Sequence, residues 1–177
     1  MFLYGVHPLK SFDSKNYNAF VKSVEKNNTH FLTTISDSIS FEEYRSLQTD
    51  SLWKKHSAQP VQILYFSGDT LISYHVNCYA RGKFTSINWN TDRRFEEFPP
   101  KTAVQSCDTM LEYCQLKKIY NIGTKARYHI VIFWTNMLPR ISKDAVNTVI
   151  DNAKKYNMES ECDICLINID KFYLNSM

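Results

Sequence analysis

Tyr128-His-Ile-Val-Ile-Phe-Trp134 is a run of β-branched and aromatic residues that predicts a buried strand. Thr135 to Ile141 follows as a loop. A helix is expected from about Ser142, because apolar residues recur there every three to four positions: Ala145, Val146, Val149, Ile150, Ala153 and Tyr156. Cys162-Asp-Ile-Cys-Leu-Ile-Asn-Ile-Asp170 then predicts a second strand. Residues 126–170 therefore predict a β-α-β unit.

The bulk composition predicts a single domain that spans residues 1–177, and the alternation of predicted strands and helices makes its class α/β. A hydrophobic content of 44% supplies one buried core, and only 4 Gly and 5 Pro leave little room for flexible linkers. The net charge of +3 is too small for electrostatic capture of nucleic acid, which is not expected as a partner. No apolar run approaches the roughly 20 residues that a transmembrane helix needs.

The N-terminal part of the chain predicts two helices and a strand. Asp13 or Ser14 can cap a helix that ends near Asn27, and the strand Phe31-Leu-Thr-Thr-Ile35 follows. Ser40-Phe-Glu-Glu43 has the capping-box pattern, in which the hydroxyl and the carboxylate satisfy each other's backbone amides, so a short helix is expected from there.

The middle of the chain predicts a β-hairpin and a helix separated by an irregular insertion. Val61 to Phe66 and Thr70 to Val76 are strand-like runs joined by a turn that contains Gly68. Residues 78–101 contain a glycine, two prolines and scattered aromatic residues, and they predict an irregular insertion. From Thr102 to about Ile119 an apolar face at helical spacing predicts a helix.

The run Gln59-Pro60-Val-Gln-Ile-Leu-Tyr-Phe-Ser-Gly-Asp-Thr-Leu-Ile-Ser-Tyr74 resembles a segment of thioredoxin-like proteins. In that family a proline, usually cis, precedes a strand, a Gly turn and an antiparallel edge strand, and Pro60 would be that proline. The resemblance also matches the helix over 102–119 to the last helix of the family. It matches the β-α-β unit to the segment that normally carries Cys-x-x-Cys.

The order of these parts differs from that of an ordinary thioredoxin, in which the active-site unit precedes the proline hairpin. The resemblance therefore implies a three-layer α/β/α domain with a mixed central sheet, either circularly permuted or with an added β-α-β unit. The chain is also similar to uncharacterised bacterial thioredoxin-like proteins, often exported, to which no activity is assigned. Another type of three-layer α/β domain is the alternative.

The resemblance does not extend to the chemistry. A thiol oxidoreductase has two cysteines at the helix N-terminus, where the dipole and the free amides lower a thiol pKa. Leu138-Pro-Arg-Ile141 stands at that place. The resemblance thus implies a non-catalytic binding module without a cofactor, which holds a protein or peptide partner at a surface formed by Trp134, Leu138, Pro139, Arg140 and Pro60.

The cysteines offer one alternative to a non-catalytic role. Cys78 follows the second hairpin strand and lies near Arg81, where a thiolate would be exposed and favoured by positive charge. A single-thiol oxidoreductase or peroxidase that uses Cys78 is therefore the competing hypothesis, against the simpler expectation that Cys78 is buried or structurally paired. Cys162 and Cys165 are three apart on a strand, so they should point to opposite faces as core residues.

The remaining residues exclude several kinds of site and leave the location open. No second close pair of Cys or His occurs at zinc-ligand spacing, so no metal site is predicted. The five histidines form no recognisable triad. The edge strand Leu71 to Val76 could recruit a partner by strand addition in a larger assembly. Two locations fit the chain: an exported bacterial protein, periplasmic or lipid-anchored with its signal removed, or a cytoplasmic one.

Overall fold

A computed structural model describes residues 7–26, 32–35, 41–47, 51–82, 87–104, 113–122 and 125–175. The regular elements, in chain order, are α1 (Ser14–Glu25), β1 (Leu32–Ile35), α2 (Phe41–Ser46), α3 (Ser51–Ser57), β2 (Gln62–Ser67), β3 (Thr70–Val76), α4 (Tyr113–Tyr120), β4 (Tyr128–Trp134), α5 (Pro139–Lys155), β5 (Cys162–Asn168) and α6 (Asp170–Asn175). Short 3-10 turns cover Asn77–Tyr79 and Thr91–Glu96.

The strands form one five-stranded mixed sheet in the order β1-β5-β4-β2-β3. The strands β1, β5 and β4 run parallel, with Ile164 paired to both Leu32 and Ile130. The hairpin of β2 and β3 is antiparallel, and β2 joins the sheet by pairing antiparallel to β4, where Gln62 lies opposite Phe133. The carboxyl ends of β4 and β5 therefore meet the start of β2 at one end of the sheet.

Helices cover both faces of this sheet, which accounts for two buried apolar clusters. One face packs against α2 and α4 through Phe41, Tyr44, Leu116 and Tyr120. The other packs against α1 and α5 through Val24, Ala145, Val146 and Val149. A strand whose residues are buried on both faces reads as a continuous apolar run, and β4 is such a strand. The α/β class and the mixed sheet are confirmed.

Several predicted elements are confirmed together with their local causes. The predicted hairpin forms, and Gly68 in its turn has a φ of 56°, a left-handed conformation that glycine adopts at low cost. The helix α1 begins where the sequence predicts, since the Asp13 Oδ1 accepts a hydrogen bond of 3.0 Å from the Asn16 N–H. Its neighbour β1 also lies where a strand is predicted.

The predicted start of the helix in the β-α-β unit is wrong by one turn. The helix α5 begins at Pro139, not near Ser142. Proline suits the first helical position, because its φ is already helical and its missing N–H has no intrahelical partner there. Ser142 instead lies inside the first turn, where its Oγ bonds to both the N–H and the carbonyl of Thr135.

The predicted helix over 102–119 is also corrected at its start. Residues 101–104 are not helical, and the helical residues described are Tyr113–Tyr120. The Oγ1 of Thr102 bonds to the backbone of Tyr74 at 3.1 Å, an alternative partner that draws the chain to the sheet edge. Residues 105–112, with Cys107 among them, lie outside the described residues.

Part of the β3 edge, which the sequence suggests for strand addition, is bonded to residues 102–104. The backbone N–H groups of Ala103 and Val104 donate to the Tyr74 carbonyl at 3.0 and 3.1 Å. The outward side of β3 is therefore occupied at its centre by this chain itself.

In the described residues, no helix combines the length and the apolar character needed to cross a membrane.

Candidate functional site

The turn between β4 and α5, residues 135–138, is the part of the fold where the sequence places a binding surface. It lies at the carboxyl ends of two adjacent parallel strands, β4 and β5. In open α/β sheets this end of the strands is the usual place for ligands, because the loops there leave crevices that the helices do not cover. The details of the turn decide what it can hold.

A buried carboxylate fixes this turn. Asp170, with 1% of its surface exposed, follows β5 directly and accepts hydrogen bonds from side chains and backbone of the neighbouring strand end. Its Oδ1 accepts from the Thr135 Oγ1 at 2.6 Å and from the Asn136 N–H at 2.8 Å. Its Oδ2 accepts from the Nδ2 atoms of Asn136 and Asn168 at 2.7 and 3.2 Å. Both oxygens are thus satisfied, which a buried charge requires.

The floor beside the turn is aromatic. Trp134, the last residue of β4, is 1% exposed and stacks against Phe20 of α1 with ring centroids 3.9 Å apart. Tyr17, one turn earlier on α1, stacks on the same indole at 5.5 Å. These stacked rings hold α1 against the end of the sheet. Trp134 is therefore buried beneath α1. Phe20, which covers it, is the ring on the outer side of this stack.

A cleft of about 510 Å³ opens over this floor. Its walls come from the N-terminal segment, from α1 and from the turn, and its lining residues are His7, Pro8, Leu9, Lys10, Ser11, Asp13, Asn16, Phe20, Asn136 and Pro139. One main-chain contact joins the N-terminal segment to the turn: the His7 N–H donates to the Met137 carbonyl at 2.8 Å. The turn therefore presents a backbone acceptor to a chain segment that lies across it.

The predicted binding residues divide into different environments. Pro139 lines the cleft, whereas Leu138 is buried in the core beneath it and Arg140 is exposed on the first turn of α5. Pro60 lies at the same end of the sheet, two residues before the strand β2 begins at Gln62, and its peptide bond with Gln59 is trans. In the described residues the cis peptide bond joins Phe98 and Pro99.

Of the residues that line this cleft, the sequence predicts Pro139 alone. Asn136 and Asp170 each lie two residues after the end of an apolar strand, and polar residues at two adjacent strand ends were the available signal. The contribution of His7 carries no such local signal, because it depends on a contact between residues far apart in the chain.

The alternative nucleophile, Cys78, lies on the 3-10 turn after β3, also at this end of the sheet, and its side chain is exposed. The partly desolvated surroundings of the thiol raise the pKa of Cys78 above its ordinary value, and the nearby Lys55 only partly opposes this. A raised pKa keeps the group protonated near neutral pH, which is the opposite of what a reactive thiolate requires.

The other described cysteines belong to the core or to a helix face. Cys162 and Cys165 are buried on opposite faces of β5, as the strand alternation predicts, and burial raises the pKa of each thiol to about 12. Cys114 is half-buried on α4.

The buried histidines His75 and His129 lie among aromatic rings, as does His56 beside Tyr79. His75 is bonded to Ser73, with the Oγ and the Nε2 3.0 Å apart, and burial lowers the pKa of His75 to about 3. His129 stacks on Tyr113 at 4.2 Å, and its Nδ1 lies 3.7 Å from the Asp163 Oδ2. Among the described residues, no three His, Cys, Asp or Glu side chains are grouped so as to hold a metal ion.

Comparisons with known proteins give no relative for this arrangement. No family model, no curated protein and no solved structure matches the chain.

Proposed function

We propose that this chain is a thioredoxin-like binding module without catalytic thiols, and that its cleft holds an extended segment of a protein or peptide partner. The observation that carries the proposal is the main-chain hydrogen bond from His7, which lines the cleft, to the carbonyl of Met137 in the adjoining turn. A turn that accepts a backbone N–H recognises a peptide irrespective of its side chains, which is how extended peptides are commonly held.

The sheet order supports the thioredoxin-like part of the proposal. The strand β4, which opens the β-α-β unit, lies between β5 and β2. The β-α-β unit and the hairpin after Pro60 are therefore adjacent halves of one sheet, although they follow each other in the chain in the reverse of the ordinary order. This arrangement favours a circular permutation.

The turn itself supports the non-catalytic part. Residues 135–141 contain no cysteine, and the buried Asp170 holds the turn through three hydrogen bonds. The alternative, a single-thiol oxidoreductase or peroxidase, depends on Cys78, and the raised pKa of that thiol counts against it.

Peptide selection tests the proposal directly. A random twelve-residue peptide library displayed on phage is selected on the immobilised full chain, and the best peptides are synthesised for affinity measurements. The variant Asn16→Trp places a large ring in the cleft wall and is expected to weaken peptide binding at least tenfold. Asn18→Trp is the matched control, because Asn18 is exposed on the same helix but does not line the cleft. Equal affinity of both variants for every selected peptide would refute the cleft as the binding site.

A cysteine-free variant tests the non-catalytic part. With Cys78 and Cys114 changed to Ser and the three remaining cysteines changed to Ala, peptide affinity is expected to stay within about twofold of the wild type in a folded sample, because no cysteine lines the cleft. Loss of binding in a variant whose circular dichroism is unchanged would contradict the proposal.

A further inference from the structure

We propose that residues 91–97 form a strap that closes over a buried polar patch of the sheet and opens locally in mildly acidic solution. The patch consists of Tyr65, Ser73 and His75 on the strands β2 and β3. Opening would uncover a second surface on these strands while the rest of the domain stays folded. The inference goes beyond the proposed function, since no residue of the strap or of the patch lines the cleft.

The patch is polar although it lies in the core. Tyr65 and Ser73 are directly opposite each other in the hairpin, and His75 follows two residues later on the same face. The Ser73 Oγ and the His75 Nε2 are 3.0 Å apart, so these two side chains are paired. The Tyr65 hydroxyl is buried without a hydrogen-bond partner among the described residues. Contact with water would satisfy that hydroxyl, so closing the strap over it is less favourable than closing over an apolar face.

The strap meets this patch at His75. The ring of Phe95, 5% exposed, lies 4.7 Å from the imidazole, and the neighbouring Arg94 brings a positive charge close to it. The groups that face His75 are thus Tyr65 and Ser73 from the hairpin and Arg94 and Phe95 from the strap, and the guanidinium is the charged one among them. A proton on His75 is therefore opposed both by burial under the strap and by a cation that the strap carries.

The strap is strained in its own backbone. Asp92 and Arg93 have φ values of 58° and 60°, in the left-handed region that residues with a Cβ adopt at a cost. The ion pairs of Arg93 with Glu96 and of Arg94 with Asp92 lie within the strap and do not tie it to the sheet. Strained backbone persists only where surrounding contacts hold it, so the strap can relax when those contacts are released.

The hydrogen bonds that hold the strap come from α5. The Asn152 Nδ2 donates to the carbonyls of Phe95 and Glu97 at 3.0 and 3.1 Å, and the Tyr156 hydroxyl donates to the Glu96 carbonyl. In the described part of the chain, these are the hydrogen bonds that join the strap to a helix or a strand. Two side chains of one helix therefore act as the clasp of the strap.

The chain is fixed on both sides of the strap, so opening can stay local. Before it, Asn88 forms an antiparallel bridge with Arg81. After it, the Ala103 N–H donates to the Tyr74 carbonyl at 3.0 Å. The strap can leave the patch as a loop between these two points without breaking a strand pair of the sheet. Segments held by few bonds open in this way at lower cost than the whole domain.

Proton binding by His75 couples the strap to pH. While the strap is closed, burial and the Arg94 charge lower the pKa of His75 from 6.5 to about 3. Once the ring reaches water, its pKa returns toward the ordinary value. Below pH 6.5 the open form therefore binds a proton that the closed form does not, and acid favours opening. The equilibrium constant for opening is expected to rise about twenty-five-fold between pH 7 and pH 5.

Hydrogen exchange of the full chain measures this opening. Exchange of the strap amides is followed by mass spectrometry at pH 7 and pH 5, with each rate corrected for the intrinsic effect of pH, and the amides of β4 serve as the core reference. The strap is expected to show the twenty-five-fold rise at both zero and about 0.5 M urea, because a local opening exposes little surface. Exchange in β4, which requires unfolding, is expected to accelerate with urea.

Two variants identify the titrating group and the clasp. His75→Gln keeps a polar side chain beside Ser73 without a titrating ring, and it is expected to reduce the rise to less than about twofold. His129→Gln is the matched control, because His129 is also buried but stacks on Tyr113 at the other face of the sheet, and it should keep the full rise. Asn152→Ala removes the clasp and should increase opening at least tenfold at pH 7.

The outcomes decide the inference separately from the cleft. A rise in the wild type that urea does not alter and that His75→Gln abolishes supports the strap. Equal opening at the two pH values overturns it in the wild type alone, whether or not a variant folds. A rise that urea accelerates as much as exchange in β4 also overturns it, since the opening is then global, and so does a full rise in His75→Gln. Peptide selection continues to test the proposed function in each case.

Discussion

At the scale of single residues, the buried Asp170 explains why the turn after β4 has one conformation. Its carboxylate accepts hydrogen bonds from the Thr135 hydroxyl and from the Asn136 backbone N–H. It also accepts one from the side chain of Asn168, at the end of the neighbouring strand β5. A buried charge is tolerated only when its oxygens are bonded, and here Thr135, Asn136 and Asn168 supply those bonds. Asp170 is therefore a positioning residue for the cleft.

Replacing that carboxylate should destabilise the domain. Asp170→Asn turns one acceptor oxygen into a donor that faces the amide groups of Asn136 and Asn168, and the expected loss is about 2 kcal/mol in the free energy of unfolding in urea. Asp13→Asn is the control, since asparagine caps a helix as well as aspartate, and it should change stability by less than about 0.5 kcal/mol. Equal stability of the two variants would contradict the role given to Asp170.

His75 makes the stability of the domain depend on acid. Burial lowers the pKa of His75 from 6.5 to about 3, with Arg94 adding to the effect. Below pH 6.5 the His75 imidazole therefore binds a proton in the unfolded chain but stays neutral in the folded chain until the pH approaches 3. Stability is unaffected above pH 6.5 and falls as the pH drops toward 3, at about 1.4 kcal/mol per pH unit from this group.

Urea unfolding at pH 7 and at pH 5 measures this dependence. His75→Gln keeps a polar group for Ser73 without a titrating ring, and it should lessen the loss of stability between the two pH values by about 2 kcal/mol. His7→Gln, at an exposed position, should leave the loss unchanged. An unaltered loss in His75→Gln would show that His75 is not the source.

The thiol of Cys78 should react with alkylating agents no faster than an ordinary cysteine thiol. Because its surroundings raise the pKa of Cys78, alkylation by iodoacetamide is expected to be slow at pH 7 and to accelerate above pH 9. Cys162 and Cys165 should react only after unfolding, since both are buried. Mass spectrometry of the native protein after timed alkylation gives each rate. Rapid labelling of Cys78 below pH 7 would contradict this expectation and favour the competing hypothesis of a single-thiol oxidoreductase or peroxidase.

At the scale of elements, local sequence patterns predict the strands and helices that are marked by one continuous run or one apolar face. The strands β2, β3, β4 and β5 are such elements, because β-branched and aromatic runs are bounded by turn residues. The starts of helices are less predictable where a side chain has two possible partners. Ser142 and Thr102 resemble helix caps in sequence, yet each bonds to the backbone of another segment, Thr135 and Tyr74 respectively.

The hairpin turn allows a test at this scale. Gly68 has a positive φ, and a Cβ added there would meet no atom within 4 Å, so only the backbone conformation opposes a side chain. Gly68→Ala should destabilise the domain by about 1 kcal/mol, and Gly68→Asn by less, because asparagine adopts the left-handed conformation more readily. Thermal unfolding of both variants measures the difference. Equal effects of Ala and Asn would indicate that contacts, not φ, set the cost.

At the scale of the whole molecule, the cleft is assembled from segments that are distant in sequence. Residues 7–11 and α1 meet the turn after β4, which in turn is held by Asp170 after β5. Local sequence patterns predict the strands β4 and β5, which end at the cleft. The polar residues Asn136 and Asp170 after these two strands indicate where it lies. These patterns do not predict that the N-terminal segment forms one of its walls, because that contact depends on tertiary packing that no local period encodes.

The central claim is that this cleft, and not a thiol, is the functional site. The most direct test is a ¹H–¹⁵N NMR titration of the full chain with a library-selected peptide, following the backbone amide of each residue. The account predicts the largest shifts at Asn136, Met137 and the segment from His7 to Ser11, with Cys78 unchanged. Shifts centred on Cys78 and the 3-10 turn after β3, with the cleft unchanged, would contradict it.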